Sequence, residues 1–213
     1  MDLSKLVTTD EDGVPGCTIA IVDFECFCVP LPPGIPEVCE VAVVLIAVHP
    51  DQLTRGATKV TQMEQFHALV RSQQLPHTEI DSKQIAFTSK RLLGIKYPQR
   101  AGISVAVAMR TIAPILQAAD IVVANGPELE QRIFNRWGLG HIVVQDIHNW
   151  LRTSLKLRKS RPAECHEAAR NHKCSAHSAT CPDAHCALMD VFECVEWIKL
   201  VGLQWFVEPK TCM

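Results

Sequence analysis

Cys17 to Phe24 (Cys-Thr-Ile-Ala-Ile-Val-Asp-Phe) is a β-branched, apolar run that Pro15-Gly16 bounds at its start. Such a run reads as a buried strand. Glu40 to Val48 is a second strand and the expected hairpin partner of the first, with the proline-rich loop Pro30 to Pro36 between them. Met63, Phe66, Leu69 and Val70 recur at helical spacing, so Thr61 to Ser72 is predicted as a helix. Ser104 to Ala118 predicts another, bent or interrupted at Pro114. Asp120 to Ala124 is a short strand, and Asn125-Gly126-Pro127 turns it into a helix with Leu129, Ile133 and Trp137 on one face. Gly138 and Gly140 end that helix, and His141 to Gln145 is again a strand. A helix follows through Trp150 and Leu151. Lys156 to Asp183 has no clear periodicity, and Ala184 to Leu200 is the last long helix, with Leu188, Met189, Phe192 and Val195 inward. Strands first, then helix and strand in alternation, predict one α/β domain with a mixed sheet.

The chain of 213 residues is long enough to bury a core without disulfides or metal. Its 47% hydrophobic and 21% charged residues are those of a globular protein rather than a disordered one. A net charge of −2 excludes a strongly basic protein, though not a local basic groove. No apolar run approaches the length of a membrane span, so no membrane partner is expected. The first residues lack both a basic start and an apolar core, which argues against a signal peptide and for a cytoplasmic protein. Ten cysteines then favour metal binding or buried thiols over a disulfide framework.

Asp23 and Glu25 are two residues apart at the end of the first strand, so both carboxylates leave the same face. Together they suit a hard cation such as Mg²⁺ or Mn²⁺, or simply a solvated strand end. His185 and Asp190 frame the start of the last helix. Cys174-x2-His177, followed eight residues later by Cys186, has credible zinc spacing. Cys165, His166, His172 and Cys181 lie close enough in sequence to be rival ligands. Lys156, Arg158, Lys159 and Arg161 form the one dense basic run: a solvated loop, or a candidate phosphate-binding one.

Asp-x-Glu on a first strand, followed about 160 residues later by His-x4-Asp on a last helix, resembles the DEDDh 3′–5′ exonucleases of the ribonuclease H-like superfamily. The resemblance covers roughly Thr18 to Leu200. It implies a ribonuclease H-like mixed sheet flanked by helices. Asp23, Glu25 and Asp190 would hold two Mg²⁺ or Mn²⁺ ions, and His185 would deprotonate the attacking water. The family's remaining carboxylate opens a helix after a middle strand. This sequence has no aspartate there; Glu130 takes the place in one register and Glu128 stands nearest in the other.

A narrower likeness concerns zinc. Arenavirus nucleoprotein C-terminal exonuclease domains and Maelstrom domains are similar in their Glu…Cys-x2-His…Cys set, whose last Cys begins the final helix. The likeness implies Glu40, Cys174, His177 and Cys186 as ligands of one structural zinc, with Glu37 a weaker candidate for the glutamate. Because Cys186 adjoins His185, that zinc would hold the base at a fixed angle. The domain expected spans residues 17–203, between an extension (1–16) and a tail (204–213).

The function expected is therefore divalent-metal-dependent 3′–5′ exonuclease action on RNA, in the cytoplasm, or the host cytoplasm if the chain is viral. The alternative is a zinc-stabilised RNA-binding module of Maelstrom type with an inactive nuclease site. The sequence leaves strand preference and oligomeric state open.

Overall fold

A computed structural model describes residues 8–9, 15–26, 37–50, 58–71, 102–149, 163–170 and 186–201. The strands are β1 (Thr8–Thr9), β2 (Pro15–Cys26), β3 (Val38–Pro50), β4 (Thr58–Leu69), β5 (Ile121–Ala124) and β6 (Val144–Asp146). The helices are α1 (Val105–Gln117), α2 (Pro127–Arg136), α3 (Ala163–Ala169) and α4 (Ala187–Val201). Five strands lie in the order β4-β3-β2-β5-β6, and the short β1 pairs with the start of β2. β3 runs antiparallel to both of its neighbours, β2 and β4, whereas β5 and β6 run parallel to β2 and to each other. The expected α/β mixed sheet is present, and β2 and β3 pair as expected, from Cys17↔Val48 to Glu25↔Glu40.

The central strands read as apolar throughout because helices cover both faces of the sheet. One face, with Ile19, Ile21, Val44 and Ile46, packs against Leu188, Val191, Phe192 and Val195 of α4. The other, with Ala20, Val22, Phe24 and Val43, packs against Ile112 and Ile115 of α1 and Ile133 and Phe134 of α2. Phe24 meets Phe134 and Trp137 edge-on, with ring centroids 6.0 and 5.3 Å apart. That geometry suits the opposed charge of ring edge and ring face. It fixes the height of α2 against β2.

The register of the parallel pair is locked at its start. Asp120 Oδ2 accepts from the Thr18 amide at 2.7 Å and from the Thr18 hydroxyl at 2.8 Å. Ile19, Ala20 and Ile21 then face Ile121, Val122 and Val123, so Asp23 falls just beyond the carboxyl end of β5. Gly126, in the left-handed region at φ 86°, turns the chain there into α2.

Two sequence expectations need correction. Residues 61–69 are strand, not helix: they belong to β4, which pairs along β3. The register steps from Leu45↔Glu64 to Ile46↔Gln62, leaving Met63 as an extra residue. A bulge of this kind breaks the alternation of inward and outward side chains. Thr61 to Gln65 are also exposed at the sheet edge, so no period of two survives to be read. The second correction is that α1 runs through Pro114 without interruption. Pro114 and Arg110, four residues before it, are both exposed, so the carbonyl that the proline leaves unbonded lies on the solvent side.

Candidate functional site

The apolar pattern on the α4 face ends abruptly at one end of the sheet. Along β2 the residues on this face are Ile19, Ile21, Asp23 and Glu25; along β3 they are Val44, Ala42 and Glu40. On β4, His67 stands opposite Ala42, so it shares the face with Glu40 as a diagonal neighbour. The first turn of α4 lies over this polar patch, carrying Cys186 at its start and Asp190 one turn later, with the Asp190 amide donating to the Cys186 carbonyl at 3.0 Å.

The patch divides into two groups. Asp23, Glu25 and Asp190 bring one carboxylate oxygen each to within 4.8 Å of one another. Glu40, His67 and Cys186 likewise bring an oxygen, a nitrogen and a sulfur together within 4.8 Å. The groups share a border, because Glu25 and Glu40 are direct cross-strand partners. Like charges so placed destabilise a sheet unless a cation intervenes. Burial, and then the charges of Asp190, Glu25, Glu130 and Glu40, push the Asp23 carboxyl well above the usual carboxylate range. A divalent cation would reverse that shift by favouring the ionised form. The three carboxylates suit Mg²⁺ or Mn²⁺, both of which take oxygen ligands. The Glu40 oxygen and Cys186 sulfur are donors that zinc takes, with the His67 nitrogen beside them.

Glu130 approaches from the far side of the sheet, in the first turn of α2. It is 2% exposed, and its Oε2 has no hydrogen-bond partner among the described residues. Burial raises its pKa to about 7, against a lowering by a backbone hydrogen bond, and the neighbouring Glu128 adds to the rise. Glu128 itself is exposed. Of the two registers left open by the sequence, the buried carboxylate whose charge reaches Asp23 is Glu130. It is not among the three oxygens gathered within 4.8 Å.

Of the expected zinc set, Glu40 and Cys186 meet, with the Cys186 Sγ 3.7 Å from Glu40 Oε1. Both are buried. Cys174 and His177 lie outside the described residues, as do His172, Cys181 and the candidate base His185. The basic run Lys156, Arg158, Lys159 and Arg161 does so too. Glu37 is buried but belongs to neither group. Cys165 is buried in the apolar cluster with Ala169 and Val191, and His166 falls on α3. His67 was missed in the sequence because the segment that carries it had been assigned to a helix. Its only sequence signal was a lone histidine near an otherwise apolar stretch.

No family model matches the chain, and no curated protein matches it by sequence. Solved structures do. E. coli Exonuclease I in complex with a dT13 oligonucleotide superposes with a TM-score of 0.52 at 15% identity, over 87% of this chain and 41% of that one. A full-length 3′-exonuclease gives 0.50 at 17% identity, over 85% of this chain and 59% of that one. The nuclease domain of 3′hExo, a DEDDh family member bound to rAMP, gives 0.51 at 17% identity, over 85% and 90%. The chain thus spans less than two thirds of the first two proteins and nine tenths of the third domain. With central strands paired antiparallel on one side and parallel on the other, and an acidic cluster where the last helix crosses the first long strand, this chain has the fold of those 3′-exonucleases.

Proposed function

We propose that this chain is a divalent-metal-dependent 3′–5′ exonuclease acting on RNA by two-metal phosphodiester hydrolysis. The observation that carries the reading is the convergence of Asp23 and Glu25 from β2 with Asp190 from α4. Asp23 and Glu25 are held by the part of β2 that pairs with β3, and Asp190 by the first turn of a packed helix, so the three need little reorganisation to bind. Glu130 completes the carboxylate set from α2. Two Mg²⁺ or Mn²⁺ ions, when bound, supply activation of a water and stabilisation of the leaving oxygen. His185, next to Cys186 in the chain, accepts the proton of the attacking water at its imidazole. Its assignment rests on the family resemblance and on that adjacency. Lys156, Arg158, Lys159 and Arg161 are the proposed phosphate contacts. RNA as substrate rests on the likeness to arenavirus and Maelstrom domains, as does one structural zinc on Glu40, Cys174, His177 and Cys186. The contact between Glu40 and Cys186, 146 residues apart, supports that narrower likeness.

The test is digestion of 3′-labelled single- and double-stranded RNA and DNA, with Mg²⁺, with Mn²⁺ and with neither. Labelled mononucleotide should be released only with metal, and Asp23→Ala should abolish the release while leaving the fold intact. If neither metal supports trimming of any substrate, the enzyme reading fails. The zinc-stabilised RNA-binding module would then take its place.

A further inference from the structure

We propose that His67 is the positioning residue of the zinc centre: its imidazole holds the Glu40 carboxylate in place without bonding the metal itself. The inference rests on the zinc reading above and adds to it a residue from a strand outside that ligand set. Glu40 is fully buried on β3, and the His67 side chain, on the neighbouring β4, is 7% exposed. His67 Nε2 lies 2.5 Å from Glu40 Oε1. An ionised carboxylate only accepts hydrogen bonds, so the imidazole N–H is the donor.

The separations favour a supporting role over a ligand role. Two ligands on one tetrahedral zinc, an imidazole nitrogen and a carboxylate oxygen, stand roughly 3.4 Å apart, and a thiolate sulfur and a carboxylate oxygen roughly 3.6 Å. Cys186 Sγ donates to Glu40 Oε1 at 3.7 Å, a separation that also leaves room for both to bind one ion. His67 and Glu40 are far closer and have the spacing of a hydrogen bond. Outer partners of this kind fix the orientation of a ligand and tune its basicity. The strand register supplies the partner: with Ala42 opposite His67 and Leu69 opposite Glu40, the two polar side chains are forced onto the same face.

The experiment uses the full chain purified with Zn²⁺. Zinc affinity is read by competition with a chromogenic chelator, and ligand geometry by the visible spectrum of the Co²⁺-substituted protein. His67→Ala should weaken zinc binding by about 10- to 100-fold, while His67→Gln, whose amide N–H can also donate to the carboxylate, should stay within about threefold of wild type. The cobalt spectrum should keep its tetrahedral thiolate pattern in both. If His67→Gln loses metal as completely as Cys186→Ser and the cobalt spectrum changes, His67 is a direct ligand and the proposal is wrong. Wild-type affinity in His67→Ala would make the residue a bystander. A wild-type chain that holds no zinc would instead overturn the zinc reading, and this proposal with it. Far-UV circular dichroism separates any of these results from misfolding.

Discussion

Glu130→Gln replaces a buried carboxyl by an amide of the same shape, and the effect on stability should depend on pH. Burial raises the Glu130 pKa from 4.5 to about 7. A proton is therefore held more tightly in the folded chain than in the unfolded one. Below pH 4.5 the residue is protonated in both states, and its stabilising contribution is fully present. Between 4.5 and about 7 the unfolded chain ionises while the folded chain does not, and that contribution drains away. The difference of roughly 2.5 pKa units corresponds to on the order of 3 kcal/mol. Glutamine does not ionise, so in buffer without Mg²⁺ or Mn²⁺ the variant should match wild type near pH 4.5. By pH 8 it should be more stable by up to about 3 kcal/mol. Urea unfolding of both proteins at several pH values measures this, and loss of the Glu130 charge also relieves Asp23, which acts in the same direction. Addition of Mg²⁺ or Mn²⁺ at pH 8 should narrow the gap if Glu130 is a ligand, because metal favours the ionised carboxylate. A wild-type-to-variant difference that stays constant from pH 5 to 8 would refute the reasoning, for then the carboxyl ionises as freely in the fold as outside it.

Three further outcomes are expected. Asp23→Asn should abolish trimming yet raise the melting temperature at pH 8 without divalent metal, because it removes a carboxylate held among Asp190, Glu25, Glu130 and Glu40; a lowered melting temperature would contradict the crowding. Elemental analysis should find one zinc per chain, lost in Cys174→Ser and His177→Ala and retained in Cys165→Ser, whose thiol is packed among apolar groups; the opposite pattern would show a different ligand set. Phe134→Ala should cost about 3–5 kcal/mol in denaturant unfolding, since a fully buried ring in edge contact with Phe24 leaves a cavity; a loss under 1 kcal/mol would mean the site collapses around it.

What the sequence determined by itself is what depends on local pattern. β2 and β3 were legible because their residues are apolar and β-branched without interruption, and α2 because Gly126 and Pro127 mark its start. The acidic positions were legible because a period of two places Asp23 and Glu25 on one face whatever the rest of the chain does. The tertiary structure decided what depends on partners. Met63 to Leu69 carry a helical spacing, yet they form a strand. β3 offers them a row of backbone partners, and the bulge at Met63 absorbs the mismatch that hides the strand pattern. That pairing brings His67 to Glu40. Which of Glu128 and Glu130 is buried was decided in the same way. Both suit the positive end of a helix, and only the packing of α2 against Phe24 turns one into the buried side and leaves the other in solvent. Pattern specifies which face a side chain leaves; which group stands across from it is set by register and packing between segments distant in the chain.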